Sequence, residues 1–200
     1  MGLPDLSSGN LLGRFPQIVM ALSQSPAVSF ILNSAYHIVY CNPAWDDFAR
    51  SNQAPQLTGE KTLGLNIFQV IPNVLKNFYQ DAYARAMSQG IWEFSYECST
   101  PELFRKYRMR VHGLGTPTCY MVTNALIHEG PHRRQVKAAS KKYVQPTGLI
   151  NMCSHCRCSQ RVDHPERWDF VPDYLRLKGP ALLTLSHGFC PICYAYHYGA

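Results

Sequence analysis

An α+β fold is what the sequence predicts: a five-stranded antiparallel sheet with helices on one face, then a small metal-stabilised module. Three observations predict it. Residues 28–45 read as strand, turn, strand and capped helix. Residues 92–127 hold three segments suited to strands, in two of which apolar and polar residues alternate. The C-terminal quarter carries two separated Cys-x-x-Cys pairs.

A polar lead opens the chain. Leu11, Leu12, Phe15, Ile18, Val19 and Leu22 then recur at three- and four-residue spacings, which predicts a short amphipathic helix with Pro16 near its start. That helix either covers the next domain or makes a dimer contact. Val28–Leu32 and Tyr36–Cys41 form a hairpin around Asn33-Ser34-Ala35. Asn42 is a good N-cap, and Pro43 suits the first helical position, where its missing N–H costs nothing. Asp46 and Asp47 in the first turn complement the helix dipole. Residues 51–71 are irregular, broken by Gly59 and Gly64, with a short helix or bend over 65–71.

A longer helix runs from Asn73, its expected cap, to Gln89, with Leu75, Phe78, Ala82 and Ala86 on one face and Gly90 as its stop. The strand at 92–98 alternates strictly, which sends Glu93 and Glu97 to a wet face. The next strand sets Lys106, Arg108 and Arg110 against Tyr107, Met109 and Val111, so an acidic and a basic wet face can meet. A turn from Gly113 to Pro117 leads into the fifth strand, 119–127. Between 128 and 148, Arg133, Lys137 and Lys141 are spaced for one stripe of a helix. That stripe reads as a solvated connector or, alternatively, as a phosphate-contacting patch.

The metal reading rests on Cys153-Ser154-His155-Cys156 and Cys190-Pro191-Ile192-Cys193. Thiolates two residues apart can turn toward one ion across a tight knuckle, and a second knuckle completes a tetrahedral sulfur site suited to structural Zn²⁺. Two disulfides, free thiols or a redox dithiol are the alternatives. Cys158 is an extra thiol that could stand in as a ligand. His187 could ligate too, or donate its ring N–H to a thiolate or carbonyl once four cysteines satisfy the ion. Between the pairs, Trp168, Phe170, Val171, Tyr174 and Leu175 predict a short helix that shields the metal knot.

Composition narrows the classes. Two hundred residues with 46% hydrophobic content allow one large domain or two small ones with a real core. No run of about eighteen apolar residues is present, so a membrane span is not expected. No basic region precedes an apolar signal core, so a cytoplasmic chain is expected. Eight cysteines there point to metal or reduced thiols. A formal charge of +6 permits an acidic partner without requiring one.

The element order β-β-α…α-β-β-β resembles the PAS sensor fold. The sharpest local matches are Ile38-Val39-Tyr40-Cys41-Asn42-Pro43-Ala44-Trp45 and Gly64-Leu65-Asn66-Ile67-Phe68. The tail, with Ser186-His187-Gly188 abutting its second Cys pair, resembles a zinc knuckle that follows sensor domains in bacterial signalling proteins. These resemblances imply a lead and helix over 1–26, a PAS-like domain over 27–128, a basic linker helix over 129–148 and a zinc-binding tail over 149–200. They also imply a cavity for an unidentified small ligand, lined by Phe30, Trp45, Phe68, Phe78, Trp92, Phe94, Tyr107 and Met121. The Asn-Cys-Arg-Phe motif of flavin-attaching relatives is absent, and His37 and His112 sit at positions unsuited to haem ligation.

The function so implied is a non-catalytic sensory or regulatory module. It would act as a homodimer, through the PAS-like domain or the N-terminal helix, and pass its signal to a partner protein. A zinc-dependent nucleic-acid-binding regulator and a thiol/zinc redox switch are the alternative readings. No Walker loop, nucleophile elbow or kinase companion is visible, so no enzyme is expected.

Overall fold

The structure is a computed structural model that describes residues 13–52, 54–115, 118–176 and 184–199. Leu11, Leu12 and Pro117, each assigned a place above, lie outside the described residues. The chain divides into two compact units, one with residues up to Ile71, Tyr79–Phe94 and Arg108–Ala125, the other with Pro72–Phe78, Ser95–Tyr107 and residues from Leu126 onward.

Helix α1 (Pro16–Ser23) opens the first unit with proline at its first turn. Its Leu22, with Phe15, Ile18 and Val19 beside it, packs on Ile31, Val39 and Cys119. Strands β1 (Val28–Asn33) and β2 (Ile38–Cys41) form the expected hairpin. The second strand starts two residues later than expected. Tyr36 takes a left-handed φ of 62°, and the Asn33 carboxamide accepts from the backbone N–H groups of Ala35 and His37, so a turn uses the donors a ladder would need.

Asn42 ties these pieces together. It is 1% exposed, and its Oδ1 accepts from Ser29 N–H and, as the cap of helix α2 (Pro43–Ser51), from Trp45 N–H. Its Nδ2 donates to the carbonyls of Leu22, Ser25 and Ala27, which anchors the exit of α1 to the start of α2. The irregular stretch resolves into 3-10 turns at Pro55–Leu57 and Ile67–Gln69 and the short helix α3 (Gly59–Thr62).

Helix α4 (Asn73–Gln89) buries Ala82, Tyr83 and Ala86, while Leu75 and Phe78 are half-buried. It ends at Gly90, whose φ of +83° suits glycine. Strands β3 (Ile91–Glu97), β4 (Leu103–Gly113) and β5 (Cys119–Pro131) complete an antiparallel sheet in the order β2-β1-β5-β4-β3. Gly113 lets the α4 backbone come close: a Cβ there would stand 2.8 Å from the Ala86 carbonyl oxygen. The expected pairing of wet faces is present at Glu93 and Arg110, 2.8 Å apart.

In the second unit the expected linker helix is replaced by extended chain. Strand β5 runs on to Pro131, Val136 makes a parallel bridge to Phe170, and Lys137 N–H donates to the Phe170 carbonyl. A 3-10 turn at Lys141–Tyr143 is the only helical piece between 129 and 148. Backbone donors taken up by a neighbouring strand segment are not available for i−4 carbonyls, so Arg133, Lys137 and Lys141 share no helical stripe.

Strands β6 (Leu149–Cys153), β7 (Ser159–Gln160), β8 (Trp168–Asp169) and β9 (Thr184–Gly188) form a second sheet, ordered β8-β7-β6-β9. The helix predicted over 168–175 is only half present: Trp168 pairs with Gln160, and helix α5 covers Pro172–Leu175 alone. Tyr143, Ile150, Met152, Val171 and Tyr174 form the core. Helix α6 (Pro191–Tyr198) closes the described chain. Among the described residues no helix is long and apolar enough to cross a membrane.

Candidate metal centre

The two Cys-x-x-Cys pairs reach one place because β6 and β9 run parallel. Cys153 ends β6 opposite Gly188, the last residue of β9, so the turns that follow both strands leave from the same edge of the sheet. Ser154 N–H donates to the Gly188 carbonyl at 2.8 Å and stitches the two turns together. In the first knuckle Arg157 N–H donates to the Cys153 carbonyl, and Arg157, at φ 62°, turns the chain so that the Cys158 carbonyl accepts from Cys153 N–H at 2.8 Å. In the second, Pro191 starts α6 and Cys190 is its cap, its Sγ accepting from Cys193 N–H at 3.4 Å.

The sulfur atoms of Cys153, Cys156, Cys190 and Cys193 all lie within 4.8 Å of one another. A tetrahedral zinc with bonds of about 2.3 Å sets neighbouring sulfurs about 3.8 Å apart. Cys156 Sγ and Cys190 Sγ are 3.8 Å apart, so the set fits that ion and is too open for a disulfide. All eight cysteines are free thiols. Hydrogen bonds from Cys156, Cys190 and Cys193 push the Cys153 thiol far down. Their own role as donors to that sulfur pushes the other three up, Cys156 to about 12. Four thiolates this close repel one another, and a divalent cation is what lets them coexist. A metal bound here would give the two knuckles a shared cross-link, and with four protein ligands it would leave no coordination position open for substrate.

The surroundings are unequal around the four. Cys153, Cys190 and Cys193 are buried and Cys156 is half-buried. A pocket of about 590 Å³ opens against Cys156, Cys190 and Cys193, with Cys158, Arg134, Arg167 and Trp168 among its walls. Cys158 shares the pocket wall with Cys156 and stands outside the four-sulfur set. His187 is exposed on β9 opposite Met152 and is also outside the set. His155 turns away from the sulfurs: its Nδ1 meets His197 Nε2 at 2.7 Å, and burial together with that neighbour holds His197 down at about 4.

Arg134 is the functional residue that spacing missed. Its Nη1 donates to the Cys156 carbonyl at 2.6 Å, its Nη2 bonds Glu97, and its guanidinium lies over the rings of Phe104 and Phe170. Strict alternation put Glu97 in water, yet it is 7% exposed. No local signal pairs a strand-end glutamate with an arginine thirty-seven residues on.

The eight residues expected around a ligand cavity are dispersed. Phe30 stacks edge-on with Trp45, whose Nε1 donates to the Leu57 carbonyl. Trp92 packs with Phe94. Phe78 meets His197 and Tyr198, and Tyr107 stacks on Tyr96, all in the second unit. Met121 pairs in register with Ile31 and packs on the α1 side, so it faces away from Phe30. Its neighbour Tyr120 takes the other face and joins Tyr36, Tyr83 and Phe68 in an aromatic cluster. Burial, with the Tyr36 hydrogen bond, pushes Tyr120 up to about 12, as expected for phenols kept from water.

No family model and no curated protein matches the sequence. Solved structures do. A PAS domain from a two-component sensor histidine kinase is 16% identical, covering 59% of this chain and 98% of its own at a TM-score of 0.39. The PAS domain of Bordetella pertussis BvgS is 13% identical over 57% of this chain and 86% of its own, TM-score 0.39. A sensory box sensor histidine kinase structure from Vibrio cholerae is 13% identical over 60% and 98%, again at 0.39. The structures that this chain is similar to are thus PAS domains of sensor kinases, and its four-cysteine cluster fits a zinc knuckle.

Proposed function

We propose that the chain is a non-catalytic sensory or regulatory module in which a PAS-like domain is coupled to a structural zinc site. In this reading it works in the cytoplasm of a bacterium, as a homodimer, and hands its signal to a partner protein. The PAS-like part takes a small ligand or a protein surface, and the Cys153, Cys156, Cys190 and Cys193 tail gives the output its shape. The observation that carries the reading is the Glu97–Arg134–Cys156 path. A glutamate ending β3 is ion-paired to an arginine whose other nitrogen bonds the first knuckle, so the strand end and the metal site share one buried connection. Buried, paired charges have few alternative arrangements, which suits a link that must hold one of two positions.

Native mass spectrometry of the full chain from a reducing host tests it, read together with affinity capture from that host. One zinc per chain and a dimer, with a retained small molecule or a captured signalling protein, is the expected result. A metal-free monomer that retains no ligand and captures no partner defeats it.

A further inference from the structure

A pocket opens beside the sulfur cluster. It is walled by three of the four cluster cysteines, and Cys158 lines it beside them. Cys156 is the half-buried member of the set, where the other three are buried. Cys190 Sγ accepts from Cys193 N–H, which draws density from that sulfur. Oxidation of a thiolate follows its accessibility to the oxidant, and Cys156 lies on the pocket wall. Arg134 stands in the same pocket, fixed by Glu97 and the Cys156 carbonyl.

We propose that Cys156 is a peroxide-oxidation site and that Cys158 is its resolving thiol, so that the tail releases its metal in response to hydroperoxides. This rests on the zinc reading above and adds the signal class and the reacting sulfur. The Cys156 sulfur attacks one peroxide oxygen, the O–O bond breaks and hydroxide leaves, beside the Arg134 charge. Cys158 sulfur then attacks the Cys156 sulfenic sulfur, the S–O bond breaks, and the hydroxyl departs as water with the Cys158 proton. One thiolate, one thiol and one hydrogen peroxide become one disulfide, one water and one hydroxide, with two electrons passed from sulfur to oxygen. The cluster is left with three thiolates, too few to hold the ion at full strength.

The test uses zinc-loaded full-length protein and its Cys158→Ser variant, with hydrogen peroxide as probe. Zinc content before peroxide reports on the metal reading by itself. Zinc release is then followed with a chromophoric chelator, and disulfides and sulfenic acids are mapped by mass spectrometry with a dimedone trap. The expected result is release in step with a Cys156–Cys158 disulfide in the wild type. In Cys158→Ser, which keeps all four ligands, release slows roughly tenfold and a dimedone adduct builds up on Cys156. Equal release rates in the two proteins overturn the proposal, as does a disulfide that excludes Cys156 or zinc retained under peroxide.

Discussion

Two single residues show how local conformation serves the site. Arg157 follows the first knuckle at φ 62°, a region where a side chain costs about 1–2 kcal/mol and glycine costs nothing. That conformation turns the chain so that the Cys158 carbonyl can accept from Cys153 N–H and close the knuckle. Replacing Arg157 with glycine should therefore stabilise the tail by about 1 kcal/mol, seen as a higher denaturant midpoint with no change in zinc content. Asn42 is the opposite case, a residue whose side chain does more than its position suggests. Its cap bond was legible from Asn-Pro, worth about 1 kcal/mol on its own. The three carbonyls held by Nδ2 were not. Asn42→Ser keeps the cap and loses those bonds, so it should cost about 3 kcal/mol in urea unfolding. A cost near zero would mean that those carbonyls find other donors.

At the scale of elements, strand ends decide the chemistry. Parallel pairing of β6 with β9 brings both knuckles to one edge, and the end of β3 supplies Glu97 to Arg134. Removing one partner of a buried pair leaves an uncompensated charge, while removing both does not. Arg134→Ala should cost about 3 kcal/mol, discounted somewhat because a quarter of that side chain meets solvent. The double variant with Glu97→Gln should recover more than half. Additive losses in that cycle would show that the two side chains act independently. Alternation and spacing foretold the five strands of the first sheet, the hairpin, α2 and α4, because those signals live within a few residues of themselves. They misjudged the 129–148 stretch, where basic spacing suggested a helix. Its backbone instead bonds Phe170, far along the chain, and no local pattern encodes that partner.

For the whole molecule, the metal belongs to one unit. The core of the first unit is closed by residues such as Ile31, Val39 and Leu22, none of which touches the sulfur cluster. The second relies on short strands and a small core around Tyr143 and Tyr174, and an ion that binds only the folded knuckles would add its binding energy to folding. Chelation under reducing conditions should raise hydrogen exchange across 149–176 and 184–199 while Ile31 and Val122 stay protected. Protection of the tail unchanged by a strong chelator would show that the fold there does not depend on an ion.

By itself the sequence determined the element order as far as the fifth strand, the α+β class and the four cysteines, since periodicity, capping and knuckle spacing are all short-range. Only the tertiary structure decided what those parts meet. It set Met121 on the α1 face and Tyr120 inward, because strand register sends neighbouring side chains to opposite sides. It left residue Cys156 half-buried where the other three cluster cysteines are buried, and drew Arg134 and Cys158 beside it, because burial and long-range contact depend on the packed chain as a whole.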